Sequence, residues 1–237
     1  MDSRKDGDKE MRPAITHISG IETAALENTA ADTAVIFLHG YGASMNDLLP
    51  LWELWHQPNF SWFFPNGVLS LPMGFYEGRA WFPIDMEKLQ DAIARGAHRE
   101  MADSIPENFD ETLKQLEGYI GELKTRYKKI ILGGFSQGAM CSSHLAIRSG
   151  IALDGLVLLS GNLVAQSHFP PHARSIPFYQ SHGQQDPVLS VQGAKALEAK
   201  LHALGFQGKL HTFQGGHEIP MSVVNEVKTF LKQFKQP

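Results

Sequence analysis

Residues 129–143 read Lys129-Ile130-Ile131-Leu132-Gly133-Gly134-Phe135-Ser136-Gln137-Gly138-Ala139-Met140-Cys141-Ser142-Ser143. The opening run, 129–132, is short and apolar, as befits a strand buried on both faces of a parallel sheet. Directly after it, Gly134-Phe135-Ser136-Gln137-Gly138 makes a GxSxG, and a helix rich in small residues follows. A serine hydroxyl is a weak nucleophile unless it projects beside a base. A sharp strand-to-helix turn projects it and forces an unusual backbone at the serine. Glycines on either side let such a turn close, and the helix N-terminus aims its positive dipole end at the serine oxygen. Ser136 is the candidate nucleophile.

Working outward, further strands are predicted at 35–38, 62–64, 155–159, 176–180 and 209–213. Helices are expected between them at 46–55, 137–149, 192–204 and 220–234, with Gly150 and Gly205 closing two of them. Ser104 and Glu107 around Pro106 read as a capping box that opens a helix reaching about Tyr127, with Leu113, Leu116, Ile120 and Leu123 on one face. Residues 14–22 read as an antiparallel edge strand. Strand alternating with helix is the signature of an α/β fold, a mostly parallel sheet with helices on both faces. No repeat or linker divides the chain. Residues 13–237 are read as a single domain and 1–12 as a flexible tail. The irregular stretch 65–103, with a short helix expected at 85–94, is read as a small cap or substrate wall.

Bulk composition narrows the function classes. A net charge of -4 and a pI near 6.2 give no footprint for nucleic acid. Cys141 is the only cysteine, so no intrachain disulfide forms and a cytoplasmic, reducing setting is the simpler expectation. The N-terminus lacks an apolar signal region, no run approaches 18 apolar residues, and Asp2 stands where N-myristoylation needs glycine. A soluble protein without stable membrane insertion is expected.

The order Ser, acid, His of the α/β-hydrolase fold selects the partners of Ser136. Asp186 follows the strand 176–180 and so falls at the carboxyl edge of the sheet, whereas Asp154 precedes its strand and falls at the opposite edge. His217 follows the last strand through Gln214-Gly215-Gly216, a loop able to fold back towards Ser136. That position raises it above the other histidines of the chain. His39-Gly40-Tyr41-Gly42 follows the strand 35–38; with no second ligand at metal spacing, this turn is read as supplying an oxyanion-hole amide and not a metal site. The backbone N–H groups of Tyr41 and Gln137 are the expected donors. His182 is read as structural and Cys141 as an inert buried residue. Phe75, Tyr76, Trp81 and Phe82 lie in the irregular segment and are expected to wall an acyl pocket.

With these residues in place, the chain from about Ala34 to Phe234 resembles the phospholipase/carboxylesterase family of small α/β hydrolases, which includes acyl-protein thioesterases and lysophospholipases. The resemblance rests on 37–42, 134–140, Ser181-His182-Gly183 with Asp186 and Val188, and Gly215-Gly216-His217, in that order. It implies a Ser136 nucleophile, a His217 base held by Asp186, an oxyanion hole at Tyr41 and Gln137, and no cofactor. Small esters, thioesters or lysophospholipids are the implied substrates, and a homodimer is compatible with the sequence. Gly78-Arg79-Ala80-Trp81-Phe82 looks closer to bacterial carboxylesterase-like members than to eukaryotic thioesterases, which weighs against protein depalmitoylation. Two competing readings are a ligand-binding protein on a hydrolase scaffold, which has no physical need of a full triad, and a peptidase, which often carries an extra domain.

Overall fold

The computed structural model describes residues 12–98, 105–164 and 175–234. An eight-stranded sheet runs in the order β1-β2-β4-β3-β7-β8-β9-β10. Its parallel part is β4 (Phe60–Pro65), β3 (Thr33–Leu38), β7 (Lys129–Phe135), β8 (Gly155–Leu159), β9 (Pro177–Gly183) and β10 (Gln207–Phe213). Every residue of β3, β4 and β8 is buried, which is why these strands read as unbroken apolar runs and do not alternate. Two apolar clusters cover the sheet, one including Leu116, Ile120, Leu145 and Leu201, the other Trp55, Trp62, Val227 and Leu231. They draw on helices α3 (Phe109–Lys124), α4 (Gln137–Arg148) and α5 (Val191–Ala203) for the first, and α1 (Leu49–Trp55) and α6 (Met221–Leu231) for the second.

Several boundaries differ from expectation. The edge at 14–22 is a hairpin of two strands, β1 (Ala14–Ile18) and β2 (Ile21–Leu26), joined through Ser19 and Gly20, both at positive φ. A two-residue turn of that kind matches the twist of the strands, and the threonine and histidine that obscured the pattern sit on its partly solvated edge strand. Helix α3 starts later than expected: Asn108, left-handed and without a side-chain cap bond, precedes it. Ser104 of the expected capping box, like the tail at 1–11, lies outside the described residues. Gly150 does not close α4 through a left-handed turn, since Ser149 ends that helix in an extended conformation, whereas Gly205 does adopt φ 89° after α5. Within 65–98 the chain forms a hairpin, β5 (Leu69–Met73) with β6 (Tyr76–Ala80), and then helix α2 (Met86–Ala94).

The topology places the site. Strand β3 pairs with β4 on one side and with β7 on the other, so the chain leaves β3 in one direction and returns beyond it in the opposite one. At such a switch point the loops after the two strands diverge and open a crevice at their carboxyl ends. The loop after β3 begins at His39 and the turn after β7 is Ser136.

Candidate active site

The turn at Ser136 is a consequence of its glycines. A β-carbon at Gly134 would lie 2.4 Å from the Gly138 carbonyl carbon, and one at Gly138 would lie 2.1 Å from the Leu38 carbonyl oxygen. With hydrogens in both places, α4 starts against the ends of β7 and β3. Ser136 takes φ 55° and ψ -117°, a conformation sparsely populated by residues with a side chain, and its N–H is held by the Leu159 carbonyl at 2.8 Å.

Three side chains from separate loops meet there. The His217 Nε2 lies 2.8 Å from Ser136 Oγ, and its Nδ1 lies 2.7 Å from Asp186 Oδ2. The carboxylate accepts only, so Nδ1 carries the proton and Nε2 is free to accept from the serine hydroxyl. Asp186 Oδ1 accepts the N–H groups of Val188 and Leu189, at 2.8 and 2.9 Å. Burial opposes ionisation of Asp186, but the hydrogen bond and charge of His217 and the two amides outweigh it and hold its carboxyl below the ordinary range. His182 Nε2 stands 2.9 Å from the Leu189 carbonyl and 3.3 Å from Asp186 Oδ2. Both neighbours are acceptors, which fixes the proton on Nε2. Burial keeps the ring neutral by lowering its pKa, a shift the Leu189 carbonyl and Asp186 only partly offset. His182 thus stands uncharged beside the acid, its Nε2–H given to the Leu189 carbonyl. His98, to which the sequence assigns no role, donates its Nε2–H to the Asp186 backbone carbonyl at 3.0 Å.

The expected oxyanion donors face the same space. Tyr41 and Gln137 both line the cavity beside Ser136, and among the described residues neither backbone N–H donates to a protein acceptor. His39 is wholly buried and its pKa falls to about 4, chiefly through desolvation. Its Nδ1–H donates to the Gly40 carbonyl at 2.7 Å and its Nε2 accepts the Gly67 N–H at 2.8 Å, so both ring nitrogens are spent on holding the loop.

The cavity has a volume of ≈ 620 Å³, within the range of small-molecule sites. Its walls are mostly apolar: Leu48, Pro50 and Leu51 by α1, Ile84, Met86 and Leu89 by α2, and Phe135, Met140, Val188, Leu189 and Ile219 around the serine. The four aromatics expected to form this wall are elsewhere. Trp81 and Phe82 are fully buried in the core, and Phe75 and Tyr76 stand exposed at the tip of the β5–β6 hairpin. None of the four lines the cavity. The apolar spacing of Met86 and Leu89 at i, i+3 and the Leu48 to Leu51 cluster are the sequence signals for the residues that line this cavity.

Over residues 20–235 the chain matches the phospholipase/carboxylesterase family. The chain belongs to that family. Among its sequence relatives are acyl-protein thioesterase 1 of Debaryomyces hansenii, 31% identical over 78% of this chain and 83% of the relative, and acyl-protein thioesterase 1 of Cryptococcus neoformans, 30% identical over 75% and 76%. Among solved structures, esterase PE8 superposes with a TM-score of 0.73 at 25% identity, covering 91% of this chain and 99% of the other. As a phospholipase/carboxylesterase family member the chain is an α/β hydrolase acting on carboxylic esters or thioesters, and a purely binding role is not favoured. Named relatives fall on both sides of the division between thioesterase and esterase. The described residues contain no helix long and apolar enough to cross a membrane.

Proposed function

We propose that this chain hydrolyses small carboxylic esters, thioesters or lysophospholipids through an acyl-enzyme on Ser136, with His217 as base, Asp186 as its orienting acid and the Tyr41 and Gln137 amides as oxyanion hole. The observation that carries this is the pair of hydrogen bonds linking Ser136 Oγ to His217 and His217 to Asp186, at 2.8 and 2.7 Å. His217 Nε2 takes the serine proton as Oγ attacks the carbonyl carbon. The negative oxygen that forms is stabilised by the two amides. Collapse breaks the bond to the alkoxide or thiolate, which leaves with the proton from His217. Water, deprotonated by His217, then attacks the acyl-enzyme and releases the acid and Ser136.

The apolar cavity supports an acyl chain as the group bound. Walls of Leu, Ile, Met and Val, with Asp47 and Glu218 as the charged residues among them, offer a hydrocarbon chain most of its contact surface. The single cysteine, Cys141, is fully buried with its thiol pushed up by desolvation, in keeping with an inert packing role and a cytoplasmic setting. A hydrolysis panel tests the function: esters of increasing acyl length, an acyl thioester and a lysophospholipid, each with wild type and Ser136→Ala. Hydrolysis that persists unchanged in Ser136→Ala overturns the reading.

A further inference from the structure

We propose that Trp81, acting with the side-chain amide of Gln137, is the positioning element that sets the relation between the two oxyanion amides. The inference rests on the oxyanion assignment above. Trp81 is fully buried and outside the substrate cavity, yet it is bonded to both donor segments. Its Nε1–H donates to the His39 carbonyl at 2.9 Å, two residues ahead of the Tyr41 amide. Its backbone N–H donates to Gln137 Oε1 at 2.8 Å, and Gln137 Nε2 in turn donates to the Phe82 carbonyl at 2.7 Å. The residue whose backbone supplies one oxyanion donor therefore uses its side chain to grip the segment that holds the other.

The grip extends along β6. The Gly42 N–H donates to the Arg79 carbonyl at 2.9 Å and the Arg79 N–H to the Ala43 carbonyl at 2.8 Å, so Tyr41 is flanked on both sides by residues bound to 79–81. That pairing needs glycine at 78, where a β-carbon would meet the Gly42 carbonyl oxygen at 2.5 Å. From behind, Thr112 Oγ1 donates to the Trp81 carbonyl at 2.6 Å and anchors the segment to α3. Close packing of Gly138 on the end of β3 limits how near the two donor segments come; the Trp81 bonds limit how far they part and how they turn. Amides in an oxyanion hole act only when aimed at the position the charged oxygen will occupy, so their relative placement matters in the transition state far more than in substrate binding.

The test is a split between kcat and KM. Trp81→Phe keeps a ring in the core and deletes the Nε1–H, and Gln137→Met keeps the side-chain length and deletes both amide bonds. Each is expected to lower kcat by about 10- to 100-fold, the scale of a small misplacement at a reacting centre, with KM within about 2-fold for acetyl and decanoyl esters alike. The double variant is expected to lose little more than the worse single, because both break one unit. Affinity for an alkyl boronic acid, which forms a tetrahedral adduct on serine, falls in step with kcat, while inhibition by the free carboxylic acid stays as in wild type. Thermal melting verifies folding; should Trp81→Phe not fold, Gln137→Met, which leaves the tryptophan in place, decides alone. Folded variants with wild-type kcat, or a loss confined to KM for long acyl chains, overturn the proposal. Fluorophosphonate labelling of wild type separates the two levels: rapid capture at Ser136 with unaffected variants removes only the positioning role, and no capture removes the Ser136 acyl-enzyme reading that underlies the oxyanion assignment.

Discussion

Replacing Asp186 by Asn tests the orientation of the triad in an unusually constrained way. The two carboxylate oxygens are not equivalent: Oδ1 accepts the Val188 and Leu189 amides at 2.8 and 2.9 Å, and Oδ2 faces His217 Nδ1 at 2.7 Å. An asparagine keeps its carbonyl oxygen towards the two amides, since the reverse would set an NH₂ group against two N–H donors. Its NH₂ therefore faces Nδ1 and takes the place of an oxygen 3.3 Å from His182 Nε2, whose proton is already given to the Leu189 carbonyl. Donation from the new amide drives the His217 proton to Nε2, where it blocks acceptance from Ser136. The loss expected for a wrong tautomer is about 10⁴-fold in kcat, roughly 5 kcal/mol of transition-state stabilisation, with KM little changed. Steady-state hydrolysis of p-nitrophenyl butyrate by the purified, folded variant is the assay. A kcat within tenfold of wild type would refute the argument and move the acid elsewhere.

Other outcomes follow from the same geometry. Tyr41→Leu keeps its amide and should change kcat modestly, whereas Tyr41→Pro deletes it and should lower kcat by about 10² to 10³, provided melting curves show both variants folded; a fully active Tyr41→Pro enzyme would withdraw the assignment of the 39–42 loop. Leu89→Trp should lower kcat/KM for decanoyl esters by about tenfold or more and spare acetyl esters, because a lost or blocked apolar contact is felt only by a chain long enough to reach it, roughly 1 to 3 kcal/mol; Phe75→Ala, at the exposed hairpin tip, should leave both unchanged. His39 titrates at about 4 when folded against 6.5 unfolded, so between those values the unfolded chain binds more protons and stability falls as pH drops, by up to about 3 kcal/mol from this residue. His182, also lowered, acts in the same direction, whereas Asp186, held below its ordinary value of 3.8, loses its stabilising ionisation only at more acid pH than this range. Urea unfolding at pH 7 and pH 4.5 measures this, and equal stability at the two would contradict it.

The strands and the residues that meet at the crevice were legible because each is written locally. A strand buried on both faces is a short apolar run, and the glycines that permit its exit turn stand beside it, as at Gly134 and Gly138. What was not legible depends on partners distant in the chain. Trp81 and Phe82 lie in a stretch without periodicity, and their burial follows from the β5–β6 hairpin folding back on the 42–43 loop and from Gln137 reaching across to them. The cavity beside Ser136 is walled instead from α1 and α2, whose apolar residues are equally consistent with an ordinary core face. Asn108 heads α3 with no capping bond, so side-chain capping chemistry does not mark that boundary.

The central claim is that Ser136 is an activated nucleophile, and covalent capture measures that most directly. Wild type and His217→Ala are treated with a fluorophosphonate, digested, and mapped by mass spectrometry. A single phosphonyl adduct on Ser136 is expected, formed rapidly in wild type and slower by several orders of magnitude without His217. An unlabelled Ser136 in folded wild type, or equal labelling rates in the two proteins, would contradict the account.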